Sequence, residues 1–359
     1  MIRFLAVVWI GWALGGRIAA QTPFRLVSYN VENLFDTRHD SLKDDTEFLP
    51  EAPRRWTPAR YWKKLDKVAK VIAAVGQERL PDVVALCEVE NDSVLHDLTC
   101  RSSLRTAGYR YVMTASADRR GVDVALLYQP GMFRLLGQRS IRVLSESYGF
   151  LPTRDILYAA GKVPSGDTLH IFVCHLPSRA GGSRKADRHR DLAARTLQAA
   201  VDSLYRRCPD ARVIVAGDFN APMGDPVFKR SLRVCRLISG PHVCTSRSAS
   251  VGNILYSTDP LPRKHRKLPL GSYRYQGEWS FLDHVLVSGN LLDSLAAFSC
   301  KYPVKMRAAD FPFLLEEDRT HGGVRPFRTY QGPVYRGGYS DHLPVYLDFV
   351  WRRRRAERP

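Results

Sequence analysis

After its N-terminus the chain has no apolar run long enough to cross a bilayer. It has no Cys-x-x-Cys pair, no internal repeat and no Gly/Ser/Pro-rich linker dividing its middle. These absences argue against a polytopic membrane protein, a structural zinc module, a solenoid and a two-domain chain joined by a tether. Acidic residues are scarce beside basic ones, 36 against 54, which leaves a net charge of +18. Such a field draws in polyanions: nucleic acid, anionic lipid surfaces or phosphorylated sugars. Part of the excess is local, in Arg263-Lys264-His265-Arg266-Lys267 and Arg352-Arg353-Arg354-Arg355, where a solvated basic surface is the simpler account. The cysteines number seven. Cys87 and Cys174 lie inside apolar runs and read as small buried hydrophobes. Cys235 and Cys244 could pair in an oxidising compartment, although spacing alone does not establish it.

What is present is ordinary globular composition, 45% hydrophobic and 25% charged, over 359 residues. Residues 1–20 differ from the rest. Arg3 precedes the apolar stretch from Phe4 to Leu14, and the small residues Ala19 and Ala20 follow. That order predicts a signal peptide cut after Ala20 and an exported protein, periplasmic or extracellular, with an uncleaved anchor as the alternative because Arg17 sits beside the cut. Residues 21–351 read as one domain and 352–359 as a basic tail. The mature protein is expected to be a monomer with no integral membrane segment.

Apolar runs alternate with helical periodicity. Trp62, Leu65, Val68, Ala69, Ile72 and Val75 predict a helix over 59–79 with a charged opposite face, and a second long amphipathic helix is predicted over 184–206. A shorter helix is expected over 93–105. Val83-Val84-Ala85-Leu86 and Val213-Ile214-Val215 read as strands buried on both faces. The expected class is α/β, a four-layer sandwich of two packed mixed sheets flanked by helices. The Gly-, Pro- and Arg-rich stretch 308–338 reads as a long irregular loop.

Polar residues recur where the apolar runs end. Gly217-Asp218-Phe219-Asn220 closes one run and delivers a carboxylate and a carboxamide to one place. Asn30 follows Ser28-Tyr29, Glu88 follows Leu86-Cys87, and His175 ends the run from Leu169 to Cys174. Asp283 stands in Ser280-Phe281-Leu282-Asp283-His284, and Asp341-His342 in Tyr339-Ser340-Asp341-His342. Taken singly, each has a plainer reading: a turn asparagine, a solvated carboxylate, a structural histidine, a helix cap. Taken together they suit metal-assisted attack of water on a phosphate ester, which needs charge neutralisation, an activated water and a stabilised leaving oxygen. Mg²⁺ takes oxygen ligands and needs only one or two carboxylates, with Mn²⁺ or Ca²⁺ as alternatives. Glu88 is the first candidate ligand. His342, with Asp283 to fix its tautomer, is a candidate general base. Arg179, Arg184 and Arg190, downstream of His175, form a basic cluster suited to phosphate contact.

These residues, in this order, resemble the endonuclease/exonuclease/phosphatase superfamily, from Ser28-Tyr29-Asn30-Val31-Glu32-Asn33 through Ser340-Asp341-His342. The resemblance implies a four-layer α/β sandwich and divalent-metal phosphoester hydrolysis. It implies that Asn30, Glu88 and Asp341 lie on the metal side and that His175 contacts the scissile phosphate. Asp155, in Thr153-Arg154-Asp155, is similar to the acidic residue that partners that histidine. Asp218 and Asn220 resemble the pair that positions nucleophile and phosphate, and His342 with Asp283 the base and its orienter. The late motif Trp279-Ser280-Phe281-Leu282-Asp283-His284 departs from the inositol 5-phosphatase pattern. The expected substrate is a phosphoester, nucleic acid first, with lipid head groups or sugar and inositol phosphates as the alternative.

Overall fold

The computed structural model describes residues 22–144, 152–178, 183–237, 254–260 and 271–352. The expected signal peptide, Arg179, the side chain of Arg184, Cys244, the basic run 263–267 and residues 353–359 of the tail lie outside the described residues.

In chain order, β1 (Thr22–Leu34) leads through α1 (Pro58–Gly76) to β2 (Val83–Val89) and the short α2 (Asp92–His96). Next come β3 (Arg110–Met113), β4 (Asp123–Tyr128), β5 (Arg134–Ile141), β6 (Ile156–Lys162) and β7 (Thr168–His175). Then α3 (Ser183–Arg207) leads to β8 (Arg212–Asp218). Short strands follow: β9 (Cys235–Arg236), β10 (Leu255–Ser257), β11 (Tyr273–Tyr275), β12 (Glu278–Ser280) and the longer β13 (Asp283–Ser288). The last are β14 (Phe298–Cys300), β15 (Arg307–Ala308), β16 (Leu315–Glu317), β17 (Val324–Pro326), β18 (Tyr330–Gln331), β19 (Val334–Tyr335) and β20 (Val345–Trp351).

Two mixed sheets carry the body. One runs β14-β20-β1-β2-β4-β3, with β15 also on β20; the other runs β5-β6-β7-β8-β13-β10-β9. Each has a parallel pair at its centre, β1 with β2 and β7 with β8. A parallel pair needs a crossover, and the two long helices supply it, α1 on one sheet and α3 on the other. Side-chain alternation then makes three apolar layers. Val27, Tyr29, Val84 and Leu86 face α1; Leu26, Val83, Ala85 and Cys87 meet Ile171, Val173, Ile214 and Ala216 between the sheets; Cys174, Val213 and Val215 face α3. This is the four-layer α/β sandwich expected from the sequence.

Two expectations need correction. The helix expected over 93–105 ends early: α2 gives way to one wide turn over Asp97–Arg101. Thr99 Oγ1 and Ser102 Oγ donate back to the carbonyls of Leu95 and Leu98, offering the backbone another arrangement. The stretch 308–338 is not irregular throughout. It forms the hairpins β16–β17 and β18–β19, and Phe313, Phe327 and Tyr335 pack against the layer that α1 shares with its sheet.

The topology fixes where a site can form. The carboxyl ends of β1, β2, β7 and β8 lie at one end of the sandwich. Because β13 runs antiparallel to β8 and β20 antiparallel to β1, their first residues lie at that same end.

Candidate active site

Strand register places the first three residues side by side. His175 on β7 pairs with Asp218 on β8, and Asp218 pairs with Asp283 on β13. Gly217, just before Asp218, has φ 144°, and a Cβ there would lie 1.9 Å from the Cys174 carbonyl oxygen. Only glycine lets β7 and β8 approach so closely at this point. In the other sheet Asn30 pairs with Cys87, and the register shifts at the next residue. Glu88 is that bulged residue, with φ 66°. A bulge re-aims a side chain. Glu88, which the alternation would send toward α1, instead places Oε1 3.9 Å from His175 Nε2 across the gap between the sheets. Its Oε2 accepts the Asn33 N–H at 2.8 Å. Glu32, Asn33 and Asn220 also hold positive φ here, as strained residues often do around functional sites.

The remaining side chains close a continuous row. His175 Nε2 lies 3.6 Å from Asp218 Oδ2, and His342 Nε2 lies 3.8 Å from the same oxygen. His342 Nδ1 is 2.7 Å from Asp283 Oδ2. Asn30 Nδ2 donates to Asp218 Oδ2 at 3.0 Å, and Asn220 donates its backbone N–H to Asp218 Oδ1 at 2.8 Å. Glu88, Asp218 and His342, far apart in sequence, therefore share one neighbourhood. His342 is set by its neighbours: Ser340 Oγ donates to the Asn30 carbonyl, and the His342 N–H donates to Ser340 Oγ. The Tyr273 ring lies over the imidazole, centroids 4.8 Å apart.

The two histidines carry different charge. Burial depresses His175, and Arg154 and Arg120 add to it, so its pKa lies well below the usual imidazole value. Burial would also depress His342, but Asp283 and Asp218 outweigh it and hold its pKa well above that value. Asp218 is raised by burial, against the pull of His342. His342 thus holds its proton more tightly than an ordinary imidazole, and it faces a carboxylate whose own proton affinity is raised by burial.

Several sequence expectations change. Asn30 donates its amide to Asp218, and its Oδ1 accepts the Glu32 N–H at 3.0 Å, which leaves one lone pair of that oxygen on the metal side. It is a positioning residue for Asp218. Asn220 likewise spends its amide on the Leu176 carbonyl at 2.9 Å. No hydrogen bond joins Asp155 to His175: the Oδ1 of one and the Nδ1 of the other are both buried without one. Arg190 is not a phosphate contact. It is 1% exposed, and its guanidinium is held by Pro177, Asp187 and Asp225. His284, beside Asp283, is structural, held by Asp259 and the Ala221 carbonyl.

Some residues escaped the sequence reading. Arg120 donates to the Asn33 side chain at 2.8 Å, and Arg328 to Asp341 Oδ2 at 2.8 Å. Arg154 lies beneath, donating to Asp118 and to the Leu176 carbonyl. Lys64 was hidden by its type. It falls on the apolar stripe of α1, at the helical spacing of Tyr61, Leu65 and Val68, and a charged residue on that stripe was the available signal.

A divalent cation prefers hard oxygen donors, and Glu88 and Asp341, both partly open to solvent, fit that requirement. Asp218, Asp283 and His342 also offer ligand atoms within 4.8 Å of one another. The 2.7 Å contact between Asp283 and His342 is better read as a shared proton, so acid–base work is the better reading of that trio.

The sequence profile of the Endonuclease/Exonuclease/phosphatase family matches residues 25–351. No curated protein matches the chain. Among solved structures, an endonuclease/exonuclease/phosphatase family protein from Bacteroides thetaiotaomicron is similar at 16% identity and TM-score 0.56, covering 92% of this chain and 99% of its own. A mannosyl-6-phosphatase from the same organism is 17% identical, with TM-score 0.54 and coverage of 91% and 100%. D. rerio TDP2 complexed with a single-strand DNA product is 15% identical, with TM-score 0.52 and coverage of 91% and 99%. At these identities the likeness speaks for the shared fold.

Proposed function

The chain belongs to the endonuclease/exonuclease/phosphatase family and is a phosphoesterase of that superfamily; from that premise we propose that it is an exported, Mg²⁺-dependent phosphodiesterase acting on nucleic acid as a monomer. The observation that carries the hydrolytic reading is the unbroken row Glu88–His175–Asp218–His342–Asp283, in which no step between neighbours exceeds 3.9 Å. The net charge of +18 supports a polyanionic substrate, since duplex DNA carries about one negative charge per 1.7 Å. Arg120, bonded to the Asn33 side chain, and Arg328, bonded to Asp341, add positive charge beside the row.

In this reading Glu88 and Asp341 hold the cation. When bound, it neutralises the phosphate and polarises its oxygen. The protein's own groups do the rest. Asp218 and His342 converge from the two sheets, 3.8 Å apart, and the deprotonated member of the pair takes the proton of a water that attacks in line with the leaving oxygen. Asp283 keeps the imidazole in one tautomer and stabilises its charge. His175, held neutral by burial, offers an Nε2–H to a phosphoryl or leaving oxygen. Asn30 keeps Asp218 from turning away.

A sugar-phosphate or lipid-phosphate substrate is the second reading, because the same row serves it and the mannosyl-6-phosphatase shares the fold. The experiment is a metal-dependent panel of plasmid DNA, RNA, sphingomyelin and soluble phosphomonoesters, run beside His342→Ala. Metal-dependent nicking of DNA that His342→Ala abolishes supports the first reading. Turnover of phosphomonoesters alone replaces it with the second, and no turnover of any substrate removes both.

A further inference from the structure

Helix α1 buries an ammonium. Lys64 is 1% exposed, and its Nζ donates to Thr329 Oγ1 at 2.5 Å and to the Tyr339 carbonyl. Glu32 is buried beside it. Its Oε2 accepts the Thr329 N–H at 2.6 Å, and its Oε1 lies 3.5 Å from Arg328 Nε. Further along α1, Lys67 Nζ lies 4.9 Å from the Tyr339 ring centroid, and Lys70 Nζ lies 4.5 Å from that of Phe313. The segment that leads into Ser340-Asp341-His342 is therefore fastened at Thr329 and at Tyr339.

Arg328 is what this fastening presents to the site. It comes immediately before Thr329, its side chain is 36% exposed, and one of its terminal nitrogens reaches Asp341 Oδ2 at 2.8 Å. A guanidinium has five N–H donors in a planar fork that matches phosphate oxygens. Asp341 takes one of them and Glu32 lies near a second, and the side chain, 36% exposed, has donors left for a phosphate. Burying a lysine and a glutamate is costly unless each is paired, and here each is paired through the backbone next to Arg328.

We propose that Arg328 is a substrate-binding residue that grips the phosphoryl oxygens, and that Lys64 and Glu32 are positioning residues that hold it over Asp341. This rests on the phosphoester reading above. The competing account is that Arg328 only neutralises Asp341.

The test uses inorganic phosphate as the probe and calorimetry as the readout, in the folded full chain with no turnover. Arg328→Gln should weaken phosphate binding by at least about tenfold, as loss of a charge-assisted hydrogen bond typically does. Arg328→Lys should recover part of it, because a point charge replaces the fork. Arg325→Gln, whose guanidinium is occupied by Glu316, should leave binding unchanged and so controls for the general basic field. On any substrate the panel identifies, Arg328→Gln should raise KM more than it lowers kcat. Lys64→Met should reproduce the loss of phosphate binding; if that variant does not fold, Glu32→Gln, which keeps the side-chain shape, takes its place. Unchanged or tighter phosphate binding in Arg328→Gln overturns the proposal, and normal phosphate binding in the folded Lys64 or Glu32 variant overturns the positioning roles. Phosphate binding that needs Arg328 in a protein that cleaves no ester would sink the hydrolytic reading and leave this one standing.

Discussion

Two histidines sit at the same end of the sandwich, both buried and both within 3.8 Å of Asp218 Oδ2, yet they carry opposite charge tendencies. The difference lies at the far nitrogen. His342 Nδ1 meets Asp283, whereas His175 Nδ1 meets nothing and has two arginines nearby. Burial pushes both imidazoles the same way, so the carboxylates at His342 and the arginines near His175 set them apart. One pocket thereby holds an imidazole that resists protonation beside one that favours it, which lets neighbouring groups of one residue type serve different ends.

The largest way to break that comparison is His342→Ala. Turnover should fall by at least about a hundredfold, as loss of a general acid–base group usually costs. Near-normal steady-state rates would remove His342 from the mechanism. Asp283→Asn should come next and would sharpen the contrast, because it makes His342 more like His175. Asp283 raises both His342 and Asp218, so its neutral replacement lowers both. Asp218 lies at about 7 in the intact protein, and the rising limb of the pH–rate profile should move to lower pH whichever group takes the proton. A limb that stays put or moves upward would contradict the electrostatic account. The same variant has a stability signature. The folded pKa of His342 is raised, so its contribution is fully present below the unfolded value, about 6.5, and is lost as pH rises through the folded value. Urea titrations should find the wild type's advantage over Asp283→Asn larger at pH 6 than at pH 9. His175→Gln keeps a donor and adds no charge, and a loss of roughly tenfold is expected in single-turnover rates, at the low end for one positioned donor. The smallest effect on the contrast belongs to Glu88→Gln, which keeps the bulge and removes the charge. More Mg²⁺ should then be needed for half-maximal activity, and an unchanged titration would reject Glu88 as a ligand.

Much of this was legible in the sequence, for a physical reason. A strand buried on both faces must be apolar throughout, so the first polar residue after it marks the end of the apolar layer. Glu88, His175 and Asp218 stand out that way. Asp283 opens its strand and His342 precedes its own, and the antiparallel pairing that brings them round could only be assumed. What stayed hidden depends on contacts between distant segments. The bulge at Glu88 is a property of two strand pairings at once. The occupation of Arg190 by Asp187 and Asp225 depends on how α3 docks. The order in 308–338 comes from lysines on a helix more than two hundred residues earlier, and no local pattern in the loop announces it.

The strand that follows His342 is also the partner of the one that opens the domain, with β20 hydrogen-bonded along β1 from Thr22 to Ser28. Ser340 reaches back to Asn30 over 310 positions of sequence. Until β20 has been made, the opening strand therefore has a bare edge and the proton-handling end is missing. Contacts of such long range are slow to form. A chain cut before Asp341 lacks Asp341, His342 and the partner of β1 together.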